Sequence, residues 1–227
     1  MNILPQFVKD GFPRLVAPVA RLFIRWGVRP NVITTFGTLL VIGSGVAFGF
    51  GRIHLAGFLL LLSGVFDILD GQVARWGGMT TTFGAFYDST LDRVGESAVF
   101  AGLAVYFVRG GVPEAQQTLA LSVALTALVA SLLVSYARAR AEGLGLECKV
   151  GLAARAERVL LLGVPAFLFG PGREGRLLFW IVAILALATA ITVVQRVVHV
   201  ARIADGAPKP AVKRDTMPGV ATRRKGH

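Results

Sequence analysis

The stretch Asp67–Arg93 constrains this chain more than any other, because it places four aspartates inside a strongly apolar sequence. Asp67, Asp70, Gly71 and Ala74 recur at i, i+3, i+4 and i+7, so on a helix they share one face. Gly84, Asp88 and Asp92 recur at i, i+4 and i+8 and share a face of their own. Between the two sets, Trp76 to Phe83 carries Gly77, Gly78 and three threonines, which predicts a tight loop. Two antiparallel helices joined by that loop would bring the aspartate pairs together at matching depth. Four carboxylates facing one another in low dielectric need protons or a cation to remain there. All-oxygen ligation suits Mg2+ or Mn2+ better than Zn2+. Gly71 and Gly84 remove side chains beside the carboxylates, and Arg75 projects near the same face as a phosphate ligand.

The rest of the chain says where such a cluster would sit. Its residues are 54% hydrophobic and its mean hydropathy is +0.65, too apolar for a soluble domain. Six apolar stretches predict six transmembrane helices in an all-α polytopic membrane protein: Asn31 to about Phe50, His54 to Arg75, Gly84 to about Val108, Glu114 past Leu133, Ala154 to Phe169, and Leu177 to about Val200. Residues 1–28 mix arginines with Leu15, Val19, Leu22 and Phe23 and predict an N-terminal interfacial amphipathic helix, bent or interrupted at Pro13 and Pro18. Residues 29–204 form the six-helix domain, and the basic tail 205–227 is expected to be disordered. The N-terminus lacks the order of regions that marks a signal peptide. The lone Cys148 allows no intrachain disulfide.

Charge orients the chain. With six spans, 20 of the 24 Lys and Arg residues fall on the side of both termini and the aspartates, and 4 on the other. The positive-inside rule then makes both termini and the aspartate cluster cytoplasmic, in the plasma membrane. A net charge of +11 on such a chain points to lipid head groups and phosphate substrates rather than nucleic acid.

The spacing D-x2-D-G-x2-A-R-x8-G-x3-D-x3-D, filled here by Asp67, Asp70, Gly71, Ala74, Arg75, Gly84, Asp88 and Asp92, resembles the signature of the CDP-alcohol phosphatidyltransferases. Other chains with intramembrane carboxylates are proton or cation transporters, but that alternative leaves Gly71, Arg75 and Gly84 unexplained. The resemblance implies Asp67, Asp70, Asp88 and Asp92 as ligands of Mg2+ (Mn2+ the other candidate), two ions in all, with Asp92 also the general base. It implies Gly71, Arg75 and Thr81 as contacts to the CDP-lipid, joined by Asn31, Val32, Ile33 and Thr34 at the start of the first span. Asn31 reads equally well as a helix cap. It also implies a homodimer.

A second basic cluster bears on the acceptor alcohol. Ser135, Arg138, Arg140, Glu142, Lys149, Arg155, Glu157, Arg158 and Arg196 fall at the cytoplasmic ends of spans four to six. So many cations at membrane level imply an anionic acceptor, a phosphorylated alcohol rather than free serine or inositol. The text S-Y-A-R-A-R-A-E, then K-V-G-L-A-A-R-A-E-R, then V-Q-R, is similar to that of the phosphatidylinositol phosphate synthases of actinobacteria and archaea. That likeness implies CDP-diacylglycerol and inositol phosphate as substrates, with Ser135, Arg138, Arg155 and Arg196 lining the acceptor-phosphate pocket. Arg138 replaces the familiar Lys, and Ala154 replaces a common acidic residue, so a phosphatidylglycerophosphate synthase is the alternative. Glu96 is expected to pair with an arginine rather than bind metal, and Gly37, Gly43 and Gly45 to serve helix packing.

Overall fold

The structure, a computed structural model, describes residues 6–148, 150, 151 and 155–204, with side chains from residue 15 onward. Lys149, Ala154 and the tail from Asp205 lie outside the described residues. Seven helices of a turn or more in the α conformation occur among them: α1 (Gln6–Arg25), α2 (Pro30–Gly49), α3 (Ile53–Trp76), α4 (Thr82–Tyr106), α5 (Glu114–Gly143), α6 (Arg155–Phe169) and α7 (Arg176–Ala204). The six apolar stretches are helical, as α2 to α7. Helices α2, α3, α5 and the stretch Arg173–Ala204 are long and apolar enough to cross a membrane. Helix α6 has only 15 residues, and α4 carries the charges Asp88, Asp92, Arg93 and Glu96 within its length. Outward-facing Trp180, Ile184, Leu187 and Val194 follow helical spacing along α7 and are exposed. An apolar stripe of that length facing outward is the surface of a membrane-embedded protein.

Local chemistry sets the helix ends near the carboxylates. Arg29, in extended conformation, is the N-cap of α2 and Pro30 is its first helical residue, where the missing N–H is no loss. Asn31 is therefore not the cap expected of it, and its side chain is left for other use. Thr81 caps α4, its Oγ1 accepting from the Gly84 N–H at 2.9 Å. The loop between α3 and α4 turns through Gly78 at φ +63°.

Helix α2 is the axis of the site. It packs on both α3 and α4, while α3 also packs on α6, α5 on α4 and α7, and α1 on α3. The two carboxylate helices thus rest on α2 more than on each other, and α2 is the support on which their aspartates are brought together. Small residues permit the approach. A Cβ on Gly37 would lie 3.1 Å from the Phe66 Cβ, and one on Gly95 2.9 Å from Val41 Cγ1. A Cβ on Gly102 would collide with the Gly45 carbonyl oxygen, and one on Gly45 with that of Ala98. Gly102→Ala should therefore destabilise the bundle by about 1–3 kcal/mol, as overpacking does. Gly43→Ala is the control, its Cβ meeting only Leu59 Cδ1 at 3.6 Å. Melting of the detergent-purified variants checks this: a lower Tm for Gly102→Ala alone is the expected result.

Helix α1 runs through Pro13 and Pro18 without a break, so of the bend or interruption expected there the interruption does not occur. Each proline forfeits a backbone bond, but Val16 and Ala20 are buried against Ile33, Leu69 and Val73, which holds the helix to the body. The face turned inward is thus Val16 and Ala20, with Phe23 partly buried. Leu15, Val19 and Leu22, expected on the same face as Phe23, are exposed.

Candidate active site

Three of the four aspartates converge. Asp67 on α3 and Asp88 and Asp92 on α4 each offer a carboxylate oxygen, and these lie within 4.8 Å of one another. One Asp88 oxygen, Oδ1, is buried and has no hydrogen-bond partner among the described residues. An unpaired buried carboxylate oxygen is costly. Arg155, at the start of α6, answers part of the charge: its Nη1 donates to Asp67 Oδ1 at 2.5 Å and lies 2.9 Å from Asp92 Oδ1. One guanidinium against three carboxylates leaves an excess of negative charge. A hard divalent cation fits this donor set, since it would take the unpaired oxygen and the remaining charge together. Asp70 stands aside from the trio. It is buried and accepts from Thr34 Oγ1 on α2 at 2.7 Å.

Asp70 and Asp88 also face a cleft of about 180 Å3 between the first turns of α2 and α4 and the end of α3. Asn31, Thr34, Gly71, Arg75, Thr81 and Gly84 line it. The two glycines shape it. A Cβ on Gly71 would lie 3.1 Å from Arg75 Nη1, and one on Gly84 3.0 Å from Thr81 Oγ1 and 3.3 Å from Asn31 Oδ1. Both side-chain-free positions keep the polar groups of the cleft within reach of a ligand. The expected contacts Val32 and Ile33 do not line it. Ile33 is 2% exposed in the small core beneath α1, and Val32 is exposed on the outer surface. Pro30, Met79 and Thr80 line the cleft without having been singled out. Only their place beside the motif hinted at it.

The residues read as an acceptor pocket are dispersed among several contacts. Arg155 joins the carboxylates, as above. Arg138 pairs with Glu142 at 2.8 Å on the exposed side of α5. Arg196 ties α7 to its surroundings: Nε donates to the Val150 carbonyl at 2.9 Å and Nη1 donates to the Val134 carbonyl. Ser135 follows Val134 on α5 and is half-buried. Glu96 pairs with Arg158 at 2.7 Å, as its reading as an arginine partner requires.

An acidic trio beside a polar cleft, built on the two halves of one motif in an all-helical membrane protein, defines an enzyme of phosphate-ester exchange. The chain belongs to the CDP-alcohol phosphatidyltransferase family, whose model matches residues 27–194. It is a transferase of that family. It is 39% identical to the phosphatidylinositol phosphate synthase of Cutibacterium acnes, over 87% of this chain and 97% of that protein. It is 34% identical to the enzyme of the same name from Mycobacterium tuberculosis, over 98% of this chain and all of that one. The crystal structure of the Mycobacterium tuberculosis phosphatidylinositol phosphate synthase with CDP-DAG bound matches at a TM-score of 0.72, covering 82% of this chain and 94% of that chain, at 34% identity. The same protein in complex with manganese and citrate matches at 0.71, covering 81% and 88%.

Proposed function

We propose that this chain transfers the phosphatidyl group of CDP-diacylglycerol to an inositol phosphate, 1D-myo-inositol 3-phosphate (identical to L-myo-inositol 1-phosphate), forming phosphatidylinositol phosphate and releasing CMP. The observation that carries this reading is Arg155 seated between Asp67 and Asp92, which puts a phosphate-binding cation beside a carboxylate base. The relatives of that name, at 34–39% identity over nearly the whole chain, support it.

The residues divide the work. The cleft takes the CDP moiety, with Arg75 facing its phosphates and Asn31, Thr34, Gly71 and Thr81 setting its position. Asp67, Asp70, Asp88 and Asp92 would hold Mg2+, or Mn2+, as two ions. Such ions, when bound, neutralise the pyrophosphate and favour departure of CMP. Arg155, with Ser135, Arg138 and Arg196, holds the acceptor phosphate and aims the hydroxyl. Asp92 takes the hydroxyl proton as the new oxygen–phosphorus bond forms and the bond to the CMP oxygen breaks. Lipid tails stay in the bilayer throughout. The chain spans the plasma membrane six times as α2 to α7, with α1 lying along the interface on its exposed Leu15, Val19 and Leu22. Both termini and the site face the cytoplasm, from which the acceptor comes. The working unit is a homodimer, and residues 29–204 are the catalytic domain.

An acceptor panel tests the reading. Purified protein with CDP-diacylglycerol and Mg2+ is offered inositol 1-phosphate, glycerol 3-phosphate, serine and inositol, and CMP is measured. Release with inositol 1-phosphate alone is expected. Release with glycerol 3-phosphate alone would reassign the chain to phosphatidylglycerophosphate synthesis. Gly84→Ala tests the cleft separately. Its methyl would press on Thr81 Oγ1 and Asn31 Oδ1. The KM for CDP-diacylglycerol should rise about tenfold, the cost of roughly one lost polar contact, with the acceptor KM unchanged.

A further inference from the structure

Helices α4 and α6 meet at two ion pairs set one turn apart. Asp92 and Glu96 stand at i and i+4 on α4, and Arg155 and Arg158 at i and i+3 on α6, so each pair of side chains rises on one face. The Asp92–Arg155 pair, at 2.9 Å, is partly open, with side chains 26% and 29% exposed. The Glu96–Arg158 pair, at 2.7 Å, is closed in, at 11% and 7%. Little else joins the two helices, because α6 packs on α3 and α7 while α4 packs on α2 and α5. Between them lies a cavity of about 30 Å3 onto which Glu96, Arg155 and Arg158 all border, walled by Val41, Leu60 and Leu162. That is room for a water molecule.

A buried ion pair is a poor way to stabilise a helix contact, since apolar side chains of the same volume do as well or better. What the pair does supply is register. A guanidinium and a carboxylate lock direction and height in a way that leucines do not. We propose that Glu96 is a positioning residue. By fixing Arg158 it sets the height and rotation of the first turn of α6, and so delivers the Arg155 guanidinium between Asp67 and Asp92. This rests on the reading above, in which Arg155 meets the acceptor phosphate. Loss of Glu96 leaves α6 attached through α3 and α7 but lets its first turn shift.

The test uses full-length protein in nanodiscs, with Glu96→Gln, Glu96→Asp and Arg158→Lys. For Glu96→Gln the acceptor KM should rise about tenfold or more, as for a displaced charge-assisted contact, while the KM for CDP-diacylglycerol stays within about twofold. Glu96→Asp, which keeps the charge, should recover most of the difference. Mn2+ affinity, read by electron paramagnetic resonance without turnover, should rise about threefold or more in Glu96→Gln, because the shifted Arg155 guanidinium faces the ligands less closely. Unchanged acceptor KM and unchanged Mn2+ affinity overturn the proposal. So does a rise in both substrate KM values together with a lower Tm, which marks a merely structural pair. If Glu96→Gln does not fold, Arg158→Lys should show the same acceptor shift in smaller measure, and an unaltered KM there overturns the proposal. If the wild type uses glycerol 3-phosphate instead, the KM is taken with that acceptor. A rise then supports the positioning role while the inositol reading falls.

Discussion

Asp92→Asn should abolish CMP release, lowering kcat by about 10²–10⁴-fold, the usual worth of a positioned general base. The substitution keeps shape but removes the ability to take a proton, together with the charge that faces Arg155 at 2.9 Å. The loss should fall on kcat. Asp92 does not border the cleft proposed to take the nucleotide, which is walled instead by Asn31, Thr34, Asp70, Gly71, Arg75, Thr81, Gly84 and Asp88. CDP-diacylglycerol should therefore raise the Tm of the variant by as much as it raises that of the wild type. Asp88→Asn is the informative contrast. Asp88 holds the unpaired buried oxygen and borders the cleft as well, so its loss should weaken Mn2+ and CDP-lipid together. An Asp92→Asn enzyme that keeps more than about a tenth of wild-type kcat would move the base elsewhere in the trio.

How far these roles could be read in advance depends on sequence distance. Within one helix, spacing settles which side chains share a face. Asp67 with Asp70, and Asp88 with Asp92, were legible for that reason, as were the long apolar helices. The loop through Gly77 and Gly78 was legible because few residues other than glycine turn there. Contacts between distant helices were not. The Thr34–Asp70 hydrogen bond joins residues 36 apart, and the Asp67–Arg155 bond residues 88 apart. Periodicity carries no information across such gaps. Ile33 shows the same limit. It stands beside cleft residues in the chain, yet α1 covers it, and only the placement of Val16 and Ala20 reveals that. Of the two readings of Asn31, the cap falls away because Arg29, a residue without capping chemistry, takes the position through backbone conformation alone. The prolines of α1 do not interrupt it, since tertiary packing outweighed a local helix breaker. The sideways step of Asp70 out of the trio, onto Thr34, has the same origin: a partner supplied by a third helix.

Arg155→Gln should move the two ligands of the site in opposite directions. In the structure its guanidinium is held by Asp67 at 2.5 Å and by Asp92 at 2.9 Å, two of the four carboxylates proposed to hold the cations. A divalent ion entering there competes with Arg155 for the same oxygens. Removing the guanidinium leaves one more negative charge for the ion, and Mn2+ affinity should rise about tenfold, well below the Coulomb limit because Asp67 is partly exposed to solvent screening. The acceptor phosphate loses its nearest fixed cation at the same stroke, and its KM should rise about 100-fold, the upper range for a charge-assisted bond. Paramagnetic resonance of Mn2+ and acceptor titrations on one preparation read both. Tighter Mn2+ with a failing acceptor means that Arg155 is shared between the two ligands, and that cation entry frees it to face the incoming phosphate. Weaker Mn2+ with a failing acceptor would mean that Arg155 holds Asp67 and Asp92 in place for the ion, a supporting role. Tighter Mn2+ with an unchanged acceptor KM would assign the phosphate to Arg138 and Arg196, and would require the Arg138–Glu142 pair to open on binding.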